Sequence, residues 1–247
     1  MASRLRWALC AAAGMALAAP GAAQGATKSV FMGTPPTASK AQRQALEKAA
    51  VDVNAFFPRA VRIRSGDIVS FVPVGFHSVD LPGTGRTTPL PFVTPTSTRA
   101  ANALDAAGTP FWFNGLVPTL AFNPRLLASS FGKLKNYDKQ SVLSGLPLSE
   151  KVKPVRVRFA KAGLYRYFCN IHPGMVGSVR VVGKSRPVPS KRADGRAVAR
   201  QLAAAVAVAR KIPSATGLPP NTISIAQEGA GGVHHFGFVP SKLTVPA

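Results

Sequence analysis

The chain has 247 residues, 46% of them hydrophobic and 16% charged, with 22 glycines and 22 prolines. That is enough apolar material for one sizeable core and a smaller second unit, and this much proline favours turns and loops over long helices. Lys and Arg number 31 against nine Asp and Glu, for a net charge of +22. No nucleic-acid-binding motif accompanies that charge, so it points to acidic proteins or anionic surfaces rather than to DNA or RNA.

Arg4 and Arg6 precede an apolar run over residues 7–19 and the small residues Gly21, Ala22 and Ala23. This pattern is that of an export leader, residues 1–23, cleaved after Ala23. The apolar run is shorter than the ~20 residues a membrane span needs. The expected location is periplasmic, in the cell envelope or extracellular. Cys10 would leave with the leader, so the mature chain keeps one thiol, Cys169, and no internal disulfide. Loss of Arg4 and Arg6 lowers the net charge by two, to +20.

In chain order, residues 28–33 read as a first strand and 37–50 as a short helix rich in Ala, Gln, Lys and Glu. Extended segments follow at 51–58 and 60–63. Ser65-Gly66-Asp67 turns the chain into a strand over 68–72, and His77 is expected at the end of the next hairpin. Residues 83–153 are rich in Pro, Thr, Ser and Gly and read as a long insertion. Within it, Asn123-Pro124 marks a capped helix running to residue 131. Phe111-Trp112-Phe113-Asn114-Gly115 is an aromatic cluster that packs the insertion onto the main body or forms a docking patch. Residues 155–159 alternate cleanly and are expected to form a hairpin with 164–168 across Lys161-Ala162-Gly163, and 178–182 form the next strand.

Arg62, Arg64, Arg156, Arg158, Arg166 and Arg180 occupy polar positions of these strands and are expected to line one exterior face. Residues 184–195 read as a linker and 196–211 as a helix with Val198, Leu202, Ala205, Val206 and Ala209 on one face. Residues 233–245 repeat 51–63 weakly, with Phe238-Val239-Pro240 matching Phe56-Phe57-Pro58. Residues 196–247 are therefore expected to hold a helix and the opening strands of a partial second unit. His234 and His235 are adjacent, so a strand would point them to opposite faces.

The chemistry concentrates in Cys169-Asn170-Ile171-His172-Pro173-Gly174-Met175, on a tight loop between two strands. The spacing is Cys-x2-His-x2-Met. A lone Cys or Met is more often a core filler, but the mature chain has one Cys, and two of the four His fall at His172 and His77. Soft sulfur donors with imidazole suit copper. A trigonal set of two His and one Cys with a long, weak Met is a blue-copper electron-transfer site. His77, in Gly75-Phe76-His77-Ser78-Val79, is the candidate for the imidazole that the loop lacks.

These residues carry a resemblance. Tyr167-Phe168-Cys169-Asn170-Ile171-His172-Pro173-Gly174-Met175-Val176-Gly177 resembles the ligand loop of the plastocyanin/azurin family of cupredoxins, with the short spacing of its amicyanin-type members. Gly66-Asp67-Ile68-Val69-Ser70-Phe71 and Phe76-His77-Ser78-Val79 resemble the segment carrying that family's first histidine, although many members have Asn where this chain has Ser78.

The resemblance implies an all-β, Greek-key β-sandwich over residues 28–183, interrupted by the insertion. It implies one copper ion cycling between Cu(I) and Cu(II), with His77, Cys169 and His172 equatorial and Met175 axial. The expected function is one-electron transfer to a redox partner protein, without enzymatic activity. Extracytoplasmic copper sequestration or delivery is the alternative, disfavoured by the scarcity of Met. A multicopper enzyme would need further His clusters, for which only His234 and His235 remain.

Overall fold

The computed structural model describes residues 25–96, 119–149, 151–212, 219–240 and 242–244. The expected leader and the 111–115 aromatic cluster lie outside the described residues. The elements in order are β1 (Thr27–Met32), α1 (Lys40–Lys48), β2 (Val51–Val53), β3 (Phe56–Phe57), β4 (Ala60–Arg64), β5 (Ile68–Pro73), β6 (Asp80–Leu81), β7 (Val93–Thr96) and β8 (Thr119–Phe122). A 3₁₀ turn (Pro124–Leu126) leads to β9 (Leu134–Tyr137), β10 (Val142–Leu143), β11 (Val155–Phe159), β12 (Gly163–Phe168), β13 (Val176–Val182), α2 (Lys191–Ala209), β14 (Ser224–Gly229) and β15 (Val233–Val239).

Two five-stranded sheets, β3-β1-β5-β11-β9 and β10-β6-β12-β13-β4, form a β-sandwich. Alternation sends Val30, Val69, Phe71, Val155, Val157 and Phe159 from the first sheet into one core with Val61, Ile63, Leu81, Tyr167, Val179 and Val181 from the second. Tyr167 is fully buried, edge-on to Phe56 and Phe71 at ring distances of 4.7 and 4.9 Å. Gly177 sits opposite it in the β12–β13 register. A Cβ at 177 would press into the Tyr167 ring. Gly177→Ala should therefore cost about 1–3 kcal/mol in urea unfolding, and an unchanged midpoint would show that the ring is free to move.

A second layer covers one outer face. Phe31, between the inward Val30 and Met32, packs instead on a second core built from α1, β2, Phe57, α2 and Val233. The stripe Val198, Leu202, Ala205, Val206 and Ala209 supplies the α2 side of that core, as its spacing predicts. No described helix is long and apolar enough to cross a membrane.

Several expectations are corrected by the sheet order. Residues 155–159 and 164–168 do not form a hairpin: β11 pairs with β5 and β9, whereas β12 pairs with β13 and β6. The turn between them carries the chain from one sheet to the other. The segment after β5 likewise crosses sheets to reach β6, so His77 lies on a crossover. As a result the arginines do not share one exterior. Arg62, Arg64, Arg166 and Arg180 are on the second sheet, and Arg156 and Arg158 on the first.

The stretch 83–153 is not wholly an insertion, because β9 and β10 form outer strands of the two sandwich sheets. Asn123 caps only a single 3₁₀ turn, its side chain accepting from the Arg125 amide at 3.1 Å. Helix α2 starts inside the expected linker, since Ser190 caps it by accepting from Ala193 N–H at 3.2 Å and Lys28 pairs with Asp194 at 2.7 Å. The C-terminal strands are not the start of a separate unit. β14 and β15 add to β2 in a three-stranded sheet, with His235 opposite Val51 and His234 opposite Asp52.

Candidate metal centre

Both ends of the 169–175 loop are fixed by strand pairing. Phe168, the last residue of β12, is opposite Val176 of β13 on one side and Asp80 of β6 on the other. Inside the loop, Cys169 N–H donates to the Met175 carbonyl at 3.0 Å and Met175 N–H to the His172 carbonyl at 3.1 Å. Gly174 takes a left-handed φ of +81° that closes this turn. Pairing of β6 with β12 carries the His77-Ser78 segment alongside Cys169.

The donor atoms of His77, Cys169 and His172 all lie within 4.8 Å of one another. The two Nδ1 atoms are 3.1 Å apart, and Cys169 Sγ is 3.6 Å from His172 Nδ1. An ion bonded at ~2.0 Å to nitrogen and ~2.3 Å to sulfur leaves its donors roughly 3–4 Å apart, so the triad fits one metal ion. His77 and Cys169 are buried and His172 is half-buried. Met175, 4% exposed, packs in the same core as Cys169.

The electrostatics favour ligand forms. Burial, reinforced by the nearby His172, pushes His77 down to about 3. Burial also lowers His172, with His234 adding to the effect and Asp52 opposing it. Both imidazoles are thus neutral near pH 7, the form that offers a lone pair to a metal. Gly33 makes room for this arrangement: a Cβ there would stand 2.9 Å from His77 Nε2.

A polar network behind the triad was not legible as part of the site. Ser78 Oγ donates to Asn170 Oδ1 at 3.0 Å, accepts from Asn170 N–H at 2.9 Å and lies 3.7 Å from Cys169 Sγ. Asn170 Nδ2 donates to Asp80 Oδ2 at 2.9 Å and to the Leu90 carbonyl at 3.0 Å. Asp80, fully buried, is neutralised by a bidentate Arg86 at 2.7 and 2.5 Å. Ser78 thus ties the two ligand segments together. The signal available was Asp80 itself, a carboxylate two residues after Ser78 at the start of β6. The remaining histidines do not join the cluster: His235 is buried in β15, and His234 faces Glu228 at 3.7 Å.

No protein-family model matches this chain, and no curated protein does. Among solved structures, a copper(I) form of an amicyanin variant aligns at 12% identity and TM-score 0.27, covering 52% of this chain and 73% of that one. Another reduced amicyanin variant aligns at 14% identity and TM-score 0.29, covering 65% and 85%. Pseudoazurin from Methylobacterium extorquens AM1 aligns at 16% identity and TM-score 0.28, covering 72% and 98%. Scores this low carry no weight for the fold or the site, which rest on the sheet order and distances above. The two-sheet sandwich, with a Cys-x2-His-x2-Met loop facing a histidine from a neighbouring crossover, gives this chain its resemblance to the plastocyanin/azurin cupredoxins.

Proposed function

We propose that the sandwich of residues 28–183 holds one copper ion through His77, Cys169 and His172, with Met175 as the axial donor, and serves as an exported one-electron carrier. The observation that carries this reading is the convergence of two neutral imidazoles and one thiol within 4.8 Å in a buried pocket. Bound copper would supply the Cu(I)/Cu(II) couple. The chain's part is to keep the donors in place in both states, and the strand pairing and the Ser78–Asn170 bonds serve that end. His172 is the more exposed imidazole and lines, with Asp52 and Phe76, a cavity of about 280 Å³. Electrons would enter and leave there.

The surface charge supports an acidic redox partner or an anionic envelope surface. Arg62 and Arg180 are direct neighbours in the β4–β13 register, and Arg166 is one step away across β12. Among the described residues no ion pair joins these arginines to an acid.

Adding Cu(II) to purified protein tests the site: one bound copper per chain and an intense blue colour are expected, and a colourless product overturns the assignment. Electron exchange with a small redox protein then separates carrier from storage. Exchange within seconds supports transfer. A tightly bound copper that exchanges only over minutes favours sequestration or delivery.

A further inference from the structure

The sulfur of Cys169 has few polar neighbours. Among the described residues they are Ser78 Oγ at 3.7 Å and His172 Nδ1 at 3.6 Å. His172 is committed to the metal in the proposed site, so the Ser78 hydroxyl decides whether the sulfur receives a hydrogen bond.

A serine hydroxyl has one proton to give and two lone pairs. The direction of this proton follows from the groups around it. Asp80, paired with Arg86, and the Leu90 carbonyl can only accept, and both face one end of the Asn170 carboxamide, at 2.9 and 3.0 Å. That end is therefore the amide nitrogen, and Oδ1 is the atom that faces Ser78 at 3.0 Å. Asp80 is fixed in this role: fully buried, it accepts from Arg86 through both oxygens and from the Leu90 N–H at 2.8 Å. Asn170 N–H donates to Ser78 Oγ at 2.9 Å and fills one lone pair. The Ser78 proton then serves one acceptor, the amide oxygen at 3.0 Å or the sulfur at 3.7 Å. The oxygen is nearer and the stronger acceptor.

We infer that Asn170, held by the Asp80–Arg86 pair, is a positioning residue: it takes the Ser78 proton, leaves the Cys169 sulfur without a hydrogen bond from that hydroxyl, and so holds the reduction potential of bound copper low. Hydrogen bonding at the cysteine sulfur is one of the levers on that potential. A donor aimed at the thiolate would favour Cu(I), the state in which the site carries one more electron. The effect on the potential rests on the copper reading; the direction of the Ser78 proton does not.

Neutron diffraction from the deuterated, metal-free full chain tests the direction. The Ser78 deuteron should lie between Oγ and Asn170 Oδ1. A deuteron between Oγ and Cys169 Sγ overturns the inference whether or not copper binds. Potentials of the copper-loaded chain, of Asn170→Ala, of Ser78→Ala and of the double variant test the consequence, with ferricyanide and ferrocyanide as the one-electron couple. Asn170→Ala frees the Ser78 proton for the sulfur and should shift the equilibrium about tenfold toward the reduced state, or ~59 mV upward. In the Ser78→Ala background the same substitution should shift it less than about twofold. An equal shift in both backgrounds, or none in either, would overturn the tuning role. If Asn170→Ala does not fold, or the chain takes up no copper, the position of the deuteron decides.

Discussion

Cys169→Ser is expected to abolish the colour of the copper-loaded chain while leaving the sandwich folded. Cys169 supplies the only sulfur of the His77–Cys169–His172 triad, and an intense visible band needs a thiolate bonded to Cu(II). A serine hydroxyl at that position does not ionise near neutral pH and makes no such bond. The substitution is otherwise mild. Cys169 is 2% exposed, the two side chains are of similar size, and Ser78 Oγ stands 3.7 Å from the sulfur as a ready hydrogen-bond partner. The stability cost should be about 1–2 kcal/mol, the scale for an imperfectly satisfied buried hydroxyl. Absorbance, bound copper and urea unfolding on the same samples separate the two effects. A serine variant that stays intensely blue would show that the triad is not the copper site.

Acid should destabilise the metal-free chain by about 3 kcal/mol between pH 7 and pH 4 through His77 alone. Its imidazole titrates at about 3 when folded, against 6.5 for an unperturbed histidine. Between those values the unfolded chain takes up a proton that the folded chain refuses. Stability is therefore full above about pH 6.5, falls as the pH drops below it, and levels off near pH 3. At ~1.4 kcal/mol per pH unit, the interval down to pH 4 yields the stated loss. His172, also lowered by burial, acts in the same direction. His77→Phe removes the proton-binding group but keeps the ring volume, so its unfolding free energy should vary less between pH 7 and 4, by about 3 kcal/mol. An identical pH dependence in the two proteins would refute the assignment of the effect to His77.

Much of the site is written locally, and so is readable. The runs of β12 and β13 flank the ligand loop, and the Cys-x2-His-x2-Met spacing marks its donors whatever the rest of the chain does. The buried stripe of α2 is equally local. What escapes is which sheet a strand joins. Val155, Val157 and Phe159 alternate inward whether β11 turns back on β12 or arches over to the other sheet. The choice is made by distant partners, β5 and β9 for one strand and β13 and β6 for the other. The same holds for Asp80. In sequence it is one acid among nine; only the fold shows it buried, with Arg86 as its counterion and Asn170 hydrogen-bonded to it. The start of α2 lies upstream of its alanine-rich pattern and shows only where Ser190 caps the first turn. The matching of Phe56-Phe57-Pro58 with Phe238-Val239-Pro240 is genuine at the level of residues, but β15 is a partner of β2 rather than its counterpart in another unit.

The pairing of β2 with β15 has a consequence for biogenesis. A ribosome delivers β15 long after β2, so the backbone groups of Asp52 wait through that interval for the strand that pairs with them. During that interval an unpaired strand edge stays open to unwanted association. Loop closure over so many residues is intrinsically slow. The β14–β15 hairpin is therefore the latch of this layer, closed only after the other elements of its core have been made.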